Sequence, residues 1–270
     1  MSEIDEEALA EAYNRGLDLE KAGDLEGAAQ AYRLVLEIDP DDRGGASVRL
    51  AAMGRGQSPD KAPDAYVSAL FDQHADVFES ILVDQLGYHV PMMVGEAVER
   101  LGLGPFSRLL DLGCGTGLSG DVLYDHAEEL VAVDLSEAMV EAAYEKDVYD
   151  RLYVAEAVHF LEATDESAFD MIVATDVLPY MGRLEAFFSG LAAKTAQGGV
   201  VAFSTETLLD KAFQGRTFMV GPKQRFAHRP AYVRALLDEH GFTLVELAPI
   251  VVRHDEGEPV PGHLVIARKD

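Results

Sequence analysis

The sequence predicts an α/β fold: a parallel sheet that closes in an antiparallel hairpin, preceded by a small all-α unit. Three observations carry this prediction. From Ser107 onward, short apolar runs alternate with helical patterns, the order that gives a parallel sheet with right-handed crossovers. The first run, Leu109-Leu110, meets an acidic residue and then three glycines at every second position, Gly113, Gly115 and Gly117. Residues 8–40, by contrast, read as a helix–turn–helix around Gly23-Asp24.

In chain order, the first helix is expected from about Ala8 to Ala22 and the second from about Leu25 to Ile38, stopping before Asp39-Pro40. The pair resembles a 34-residue tetratricopeptide repeat. Gly16, Ala28, Tyr32 and Pro40 fall on signature positions, whereas Leu19 occupies an aromatic position and Val35 a small one. Residues 44–53 read as a further helix capping the unit, so residues 1–53 form a tetratricopeptide-like domain. A single repeat cannot bury its apolar face alone. It is expected to dock within the chain, on a second subunit or on a partner protein. Gly54 to Pro63 is rich in Gly and Pro, and residues 54–65 read as a linker. Helical patterns resume at Tyr66, run past Phe71, His74 and Phe78, and end near Leu101. They occupy residues 66–104 of a second domain spanning 66–270.

The glycine-rich turn is where chemistry is expected. Glycine accepts positive φ and lets a ligand approach the backbone, and a strand, a glycine turn and a helix N-terminus together form a nucleotide cradle. Gly115 to Gly120 formally matches G-x-G-x-x-G, but it starts two residues into the turn. Seventeen residues after Gly117, the apolar strand Leu130–Val133 ends in Asp134, suited to accepting two ribose hydroxyls. Ser136 is placed to cap the next helix. Further strands are expected at 152–154, running into Glu156, at 169–174, running into Thr175-Asp176, and at 198–204. A last helix at about 231–240 leads to strands at 242–247 and 263–268. They are joined by the loop 253–262 and should pair antiparallel.

The D-x-G-x-G-x-G run from Asp111 to Gly117, the acidic tip at Asp134, the D-x-S-x-x-M continuation from Asp134 to Met139 and the later strands in order resemble class I S-adenosylmethionine-dependent methyltransferases. With its repeat, the chain is similar to a bacterial group of predicted methyltransferases carrying such units. The resemblance implies a Rossmann-like methyltransferase sheet, with residues 66–104 folding over the cofactor as a lid. It implies S-adenosylmethionine as cofactor and S-adenosylhomocysteine as product. It places the cofactor on Asp111, Gly113, Cys114, Gly115, Thr116, Gly117, Asp134, Leu135, Met139, Glu156, Ala157 and Thr175. Glu156 departs from the family's usual Asp at the adenine. Asp111 either pins the glycine turn or holds the cofactor ammonium; Asp170, at the far end of its strand, is expected to be structural.

Methyl transfer from a sulfonium needs alignment, exclusion of water and, where required, a base. His228 is the first candidate for that base; its alternative is a solvated place beside the N-terminus of the last helix. Asp176 is a candidate for orienting an amine or hydroxyl, with His74 and Tyr180 behind it, and Arg216, Arg225 and Arg253 are candidates for a substrate carboxylate. The eight histidines lack a helical H-x-x-x-H spacing and there is one cysteine, so no metal is expected.

Composition narrows the partners. Forty-eight acidic against 22 basic residues leave a net charge of −26, a field that repels phosphate backbones and anionic lipid. Neither nucleic acid nor membrane is expected as partner; Lys223, Arg225, His228 and Arg229 form the one obvious basic cluster of the C-terminal half. No apolar run approaches ~18 residues, and the acidic start lacks the features of a signal peptide; with a single cysteine, these predict the cytoplasm. The reading is a methyltransferase for a small-molecule acceptor, with a possible protein partner at the repeat. Two alternatives are weighed. A nicotinamide-dependent oxidoreductase is disfavoured by the glycine register, the absent Tyr-x-x-x-Lys pair and the terminal hairpin; the other is a cofactor-binding scaffold without turnover.

Overall fold

The computed structural model describes residues 5–270. Helices α1 (Glu6–Lys21) and α2 (Leu25–Ile38) form a hairpin, each started by an aspartate cap, Asp5 and Asp24, that accepts an N–H from the first turn at 3.0 Å. Their contact depends on Gly16, where a Cβ would stand 2.6 Å from the Tyr32 ring. Gly16 and Tyr32, two of the positions on which the repeat resemblance rests, thus meet across the helix pair. Helix α3 (Ala46–Ala52) closes the unit and is shorter than expected, with Asp42 accepting the N–H groups of Ala46 and Ser47 at its start.

The unit docks within the chain. Val48 and Ala51 of α3 pack on Val220 and Phe226, from a hairpin of strands β6 (Phe218–Val220) and β7 (Phe226–His228). The Gly/Pro-rich stretch is not a free linker. Asp60 O accepts from the N–H groups of Gly182 and Arg183, Ala62 donates to Tyr180 O, and Lys61 bridges Met181 antiparallel. Gly and Pro marked the absence of helix correctly, but backbone pairing with a distant segment leaves no trace in composition.

Helix α4 (Asp64–Asp72), a single turn at Ala75–Val77 and a widened π-type turn at Ser80–Gln85 follow, then α5 (Val90–Leu101). The sheet comes next. Its strands are β1 (Phe106–Leu112), β2 (Ala127–Asp134), β3 (Arg151–Val154), β4 (Phe169–Ala174) and β5 (Thr195–Glu206), and after the β6–β7 hairpin β8 (Phe242–Asp255) and β9 (Glu258–Lys269). Helices α6 (Leu118–Leu123), α7 (Glu137–Glu145), α8 (Ala157–Ala163), α9 (Glu185–Lys194) and α10 (Pro230–Glu239) connect them. The parallel order is β3-β2-β1-β4-β5, and β9 adds antiparallel beside β5, with β8 outside it. The order reverses between β1 and β4, which sets the ligand crevice at their carboxyl ends.

The terminal hairpin corrects the expected loop at 253–262. The two strands pair as far as Asp255 and Glu258 around Glu256-Gly257, whose φ values of 52° and 83° fit a tight two-residue turn. Pro259 and Pro261 lie where β9 has β8 as neighbour but not yet β5, so one flank needs no donor. The core lies on both sheet faces. Phe160, Phe187, Phe188 and Phe203 fill one side, and Val94, Leu109, Leu123 and Leu130 the other.

Candidate functional site

The strand ends and the helices between 64 and 101 enclose one cavity. Its floor is the glycine turn and its roof is apolar, with Phe71, Phe78, Leu82 and Tyr88 turned inward. The turn is forced by its packing. Gly113, at φ 68°, has no room for a Cβ against Val177, and the N–H groups of Gly113 and Cys114 both reach back to Val133 O.

Asp134, at the tip of β2, uses one carboxylate oxygen for Gly115 N–H at 2.8 Å and the other for Ser136 N–H at 2.9 Å. Burial pushes this carboxyl up, against the pull of the three backbone N–H groups around it. Its outer face lines the cavity. Glu156 caps α8 through His159 N–H at 2.8 Å, lines the cavity and lies 3.8 Å from Lys61 Nζ.

Of the expected cofactor residues, Gly113, Cys114, Gly115, Asp134, Leu135, Glu156, Ala157 and Thr175 line the cavity. Asp111, Thr116, Gly117 and Met139 stand behind that lining. Asp111 accepts from the Tyr149 hydroxyl at 2.6 Å through Oδ2. Its Oδ1 is buried without a partner among the described residues, and burial pushes the group up to about 7. Tyr149, absent from the sequence reading, also takes Gly120 N–H at 3.1 Å and lies across Gly117 and Gly120. It sits in an irregular segment with no motif to mark it. Met139 is buried in α7, started by Ser136 Oγ accepting its N–H at 3.1 Å. Asp170 accepts the N–H groups of Ser107 and Arg108 at 3.0 Å, a structural role.

The roof is latched to the floor by two acidic side chains. Ser136 Oγ donates to Asp72 Oδ1 at 2.5 Å and Thr116 Oγ1 to Glu79 Oε1 at 2.7 Å, with Lys146 Nζ 2.8 Å from Glu79. Burial raises Glu79, but Lys146 and Thr116 outweigh it and hold the group below its ordinary range.

The end of the cavity at Asp176 departs from expectation. Asp176 lines the cavity in a left-handed conformation, φ 59°, which aspartate tolerates better than most side chains. Its Oδ1 meets Arg225 at 2.5 Å and Arg253 at 3.8 Å. Arg225 also donates to Glu206 at 2.6 Å and to the Tyr180 hydroxyl at 2.5 Å, while Arg253 donates to Glu206 at 2.6 Å. Burial pushes Asp176 up despite both arginines; in Glu206 the arginines prevail and hold it down. Neither Arg225 nor Arg253 is a surface group awaiting a carboxylate, while Arg216 is exposed.

His228, the expected base, is fully buried outside the cavity lining, with Nε2 3.2 Å from Gly182 O. Burial drives it down to about 4. Strand β7 turned it into the protein, a pairing that the short run gave no periodicity to reveal. The basic cluster is neutralised residue by residue: Lys223 by Glu256, Arg225 by Asp176 and Glu206, Arg229 by Asp210. Among the described residues, no group of three or more His, Cys, Asp or Glu is placed to hold a metal ion, and no helix is long and apolar enough to cross a membrane.

Residues 110–201 match the family model of a methyltransferase domain. They cover the glycine turn, Asp134, Glu156 and Asp176. Within this stretch, about a third of its length, the chain carries a methyltransferase domain. Among curated relatives of this methyltransferase domain, a trans-aconitate 2-methyltransferase of Delftia acidovorans is 32% identical over 109 residues, 40% of this chain and 41% of that one. A ubiquinone biosynthesis O-methyltransferase of Maricaulis maris is 27% identical over 181 residues, 60% and 71% of the two chains. A shorter match, 46% identical over 57 residues and 20% of each chain, is to an 18S rRNA (guanine-N(7))-methyltransferase of Mus musculus. The chain thus spans from a fifth to seven tenths of these relatives. The fold is shared with magnesium protoporphyrin IX methyltransferase of Synechocystis, solved with bound S-adenosylmethionine, at a TM-score of 0.57 and 18% identity over 77% of this chain and 97% of that one.

Proposed function

We propose that the cavity binds S-adenosylmethionine over the glycine turn and transfers its methyl group to a small molecule entering beneath residues 64–101. The observation that carries this reading is the cradle. Asp134 is held by two backbone N–H groups with its carboxylate facing the cavity, suited to ribose hydroxyls. Glu156 is fixed by its capping bond at the next strand end, in reach of an adenine amino group. The unpartnered Asp111 Oδ1 beneath the turn is a buried acceptor suited to an ammonium.

When bound, the cofactor supplies a methyl carbon on a sulfonium, whose carbon–sulfur electrons remain with sulfur. The remaining work falls to the chain. The Asp72 and Glu79 latches hold the roof over the turn and keep water from the reacting atoms. Asp176 holds the acceptor's N–H or O–H and receives its proton. Burial has already raised this carboxyl toward the range where it can do so. His228 has no part in the transfer.

The helical unit, with its Gly16–Tyr32 contact, acts as a tetratricopeptide-like platform open to a protein partner on the side away from β6 and β7. Calorimetric titration with S-adenosylmethionine, S-adenosylhomocysteine and NADH tests the cofactor. Micromolar binding of the two sulfur nucleosides alone is expected; binding of NADH alone would overturn the reading.

A further inference from the structure

The charges around the cavity narrow the acceptor, given the methyl-transfer reading above. Four carboxylates line it, Asp134 and Glu156 where the cofactor is proposed to lie and Asp64 and Asp176 beyond them, against one ammonium, Lys61. That ammonium is committed, 2.7 Å from Asp64 and 3.8 Å from Glu156. The guanidiniums behind Asp176 are committed as well. Arg225 spends all three nitrogens on Glu206, Tyr180 and Asp176 and lies over the Tyr180 ring at 4.8 Å; Arg253 is bound to Glu206 at 2.6 Å. Among the described residues, no lining cation is left over for a carboxylate or phosphate. An anionic acceptor would be desolvated beside fixed negative charge, which costs far more than an apolar wall returns. Asp176 Oδ2, by contrast, makes no protein hydrogen bond among the described residues, and a carboxylate offers only acceptance.

We propose that the acceptor is a non-anionic molecule with an apolar body, presenting an amine or hydroxyl to Asp176. Its lone pair forms the new bond to the methyl carbon, and its N–H or O–H proton passes to Asp176 Oδ2 and on to solvent. Phe71, Phe78, Leu82 and Tyr88 receive the apolar body. Glu206 is the specificity-determining residue, because it neutralises the arginine that Asp176 alone would leave in excess.

The test uses the full chain saturated with S-adenosylhomocysteine and four probes, tyramine and phenol against benzoate and trans-aconitate. Binding is read by ligand-observed NMR, and S-adenosylhomocysteine release is followed in parallel with S-adenosylmethionine as donor. Tyramine or phenol is expected to bind at least tenfold more tightly than either carboxylate. Carboxylates binding as well or better, or no difference between the sets, would overturn the proposal. Glu206→Gln should raise benzoate affinity tenfold or more by leaving one guanidinium uncompensated, and unchanged selectivity in a folded variant counts against it. If that variant does not fold, the wild-type comparison decides alone. Failure to bind either sulfur nucleoside would sink the underlying cofactor reading instead, and is seen in the loading step.

Discussion

The two ends of the cavity are built by opposite means. At the cofactor end, backbone does most of the holding: glycines without room for a Cβ, N–H groups on Val133 O, and Asp134 clasped by Gly115 and Ser136. Apart from Thr175 and Val177, the groups there come from a window between Asp111 and Ala157. At the acceptor end, side chains from four separate segments meet in one buried ionic cluster, Asp176, Glu206, Arg225 and Arg253. Backbone cradles tolerate little change in the ligand they hold, whereas a side-chain cluster can be re-specified by single substitutions. On the proposed reading, the contrast would give constancy to the donor and variation to the acceptor.

The largest expected effect falls on the side-chain end. Glu206→Ala leaves two buried arginines short of a partner and should cost about 3–5 kcal/mol of stability, read as a lowered denaturant midpoint. A loss below about 1 kcal/mol would mean that water already compensates these charges, and the two ends would be less different than described.

Next come opposite pH slopes. Asp111 is pushed up to about 7 in the fold and His228 down to about 4. For Asp111 the folded state holds a proton that the unfolded chain has lost, so its contribution to stability falls as pH rises from about 4 to 7. For His228 the unfolded chain takes the proton first, so stability falls as pH drops from about 6.5 to 4. Each full swing is about 3–4 kcal/mol, and the two partly cancel in the native protein. Asp111→Asn should therefore steepen the loss of stability on acidification, and His228→Gln should flatten or reverse it. Denaturant titrations at pH 7, 6 and 5 separate them, and parallel curves for the two variants would refute the assignment.

Asp134→Ala tests the backbone end directly. Losing two charge-assisted ribose contacts should weaken S-adenosylhomocysteine by about 2–3 kcal/mol, on the order of a hundredfold by calorimetry. Unchanged affinity would remove Asp134 from the site. The smallest effect belongs to the latches. Thr116→Ala should lose about 1 kcal/mol of roof closure, visible as faster amide exchange over 64–86 with little change in global stability, whereas Ser136→Ala loses its latch together with the α7 cap and about 1 kcal/mol of stability.

What the sequence disclosed follows the same division. The glycine turn, Asp134, the Ser136 cap and the strand order were legible because each is a local pattern with its own period or turn chemistry. The β6–β7 hairpin was missed, although Phe218–Val220 and Phe226–His228 flank Gly221-Pro222; three-residue strands are too short to show alternation. That omission misplaced His228, since its direction is set by β7. Arg225 and Arg253 looked like surface cations because nothing local announces a partner some 20 to 77 residues away in the chain. The Tyr149 clamp was hidden for the same reason.

Residues 60–62 follow the helical unit and are hydrogen-bonded to 180–183, and Lys61 and Ala62 also line the cavity. The two halves are thus joined by a short backbone bridge rather than merely tethered. A ligand that strained or steadied this bridge from one side would alter binding on the other by the same factor, and the exchange would be reciprocal. A protein seated on the helices would read the filling of the cavity, and the filled cavity would retune that protein's grip.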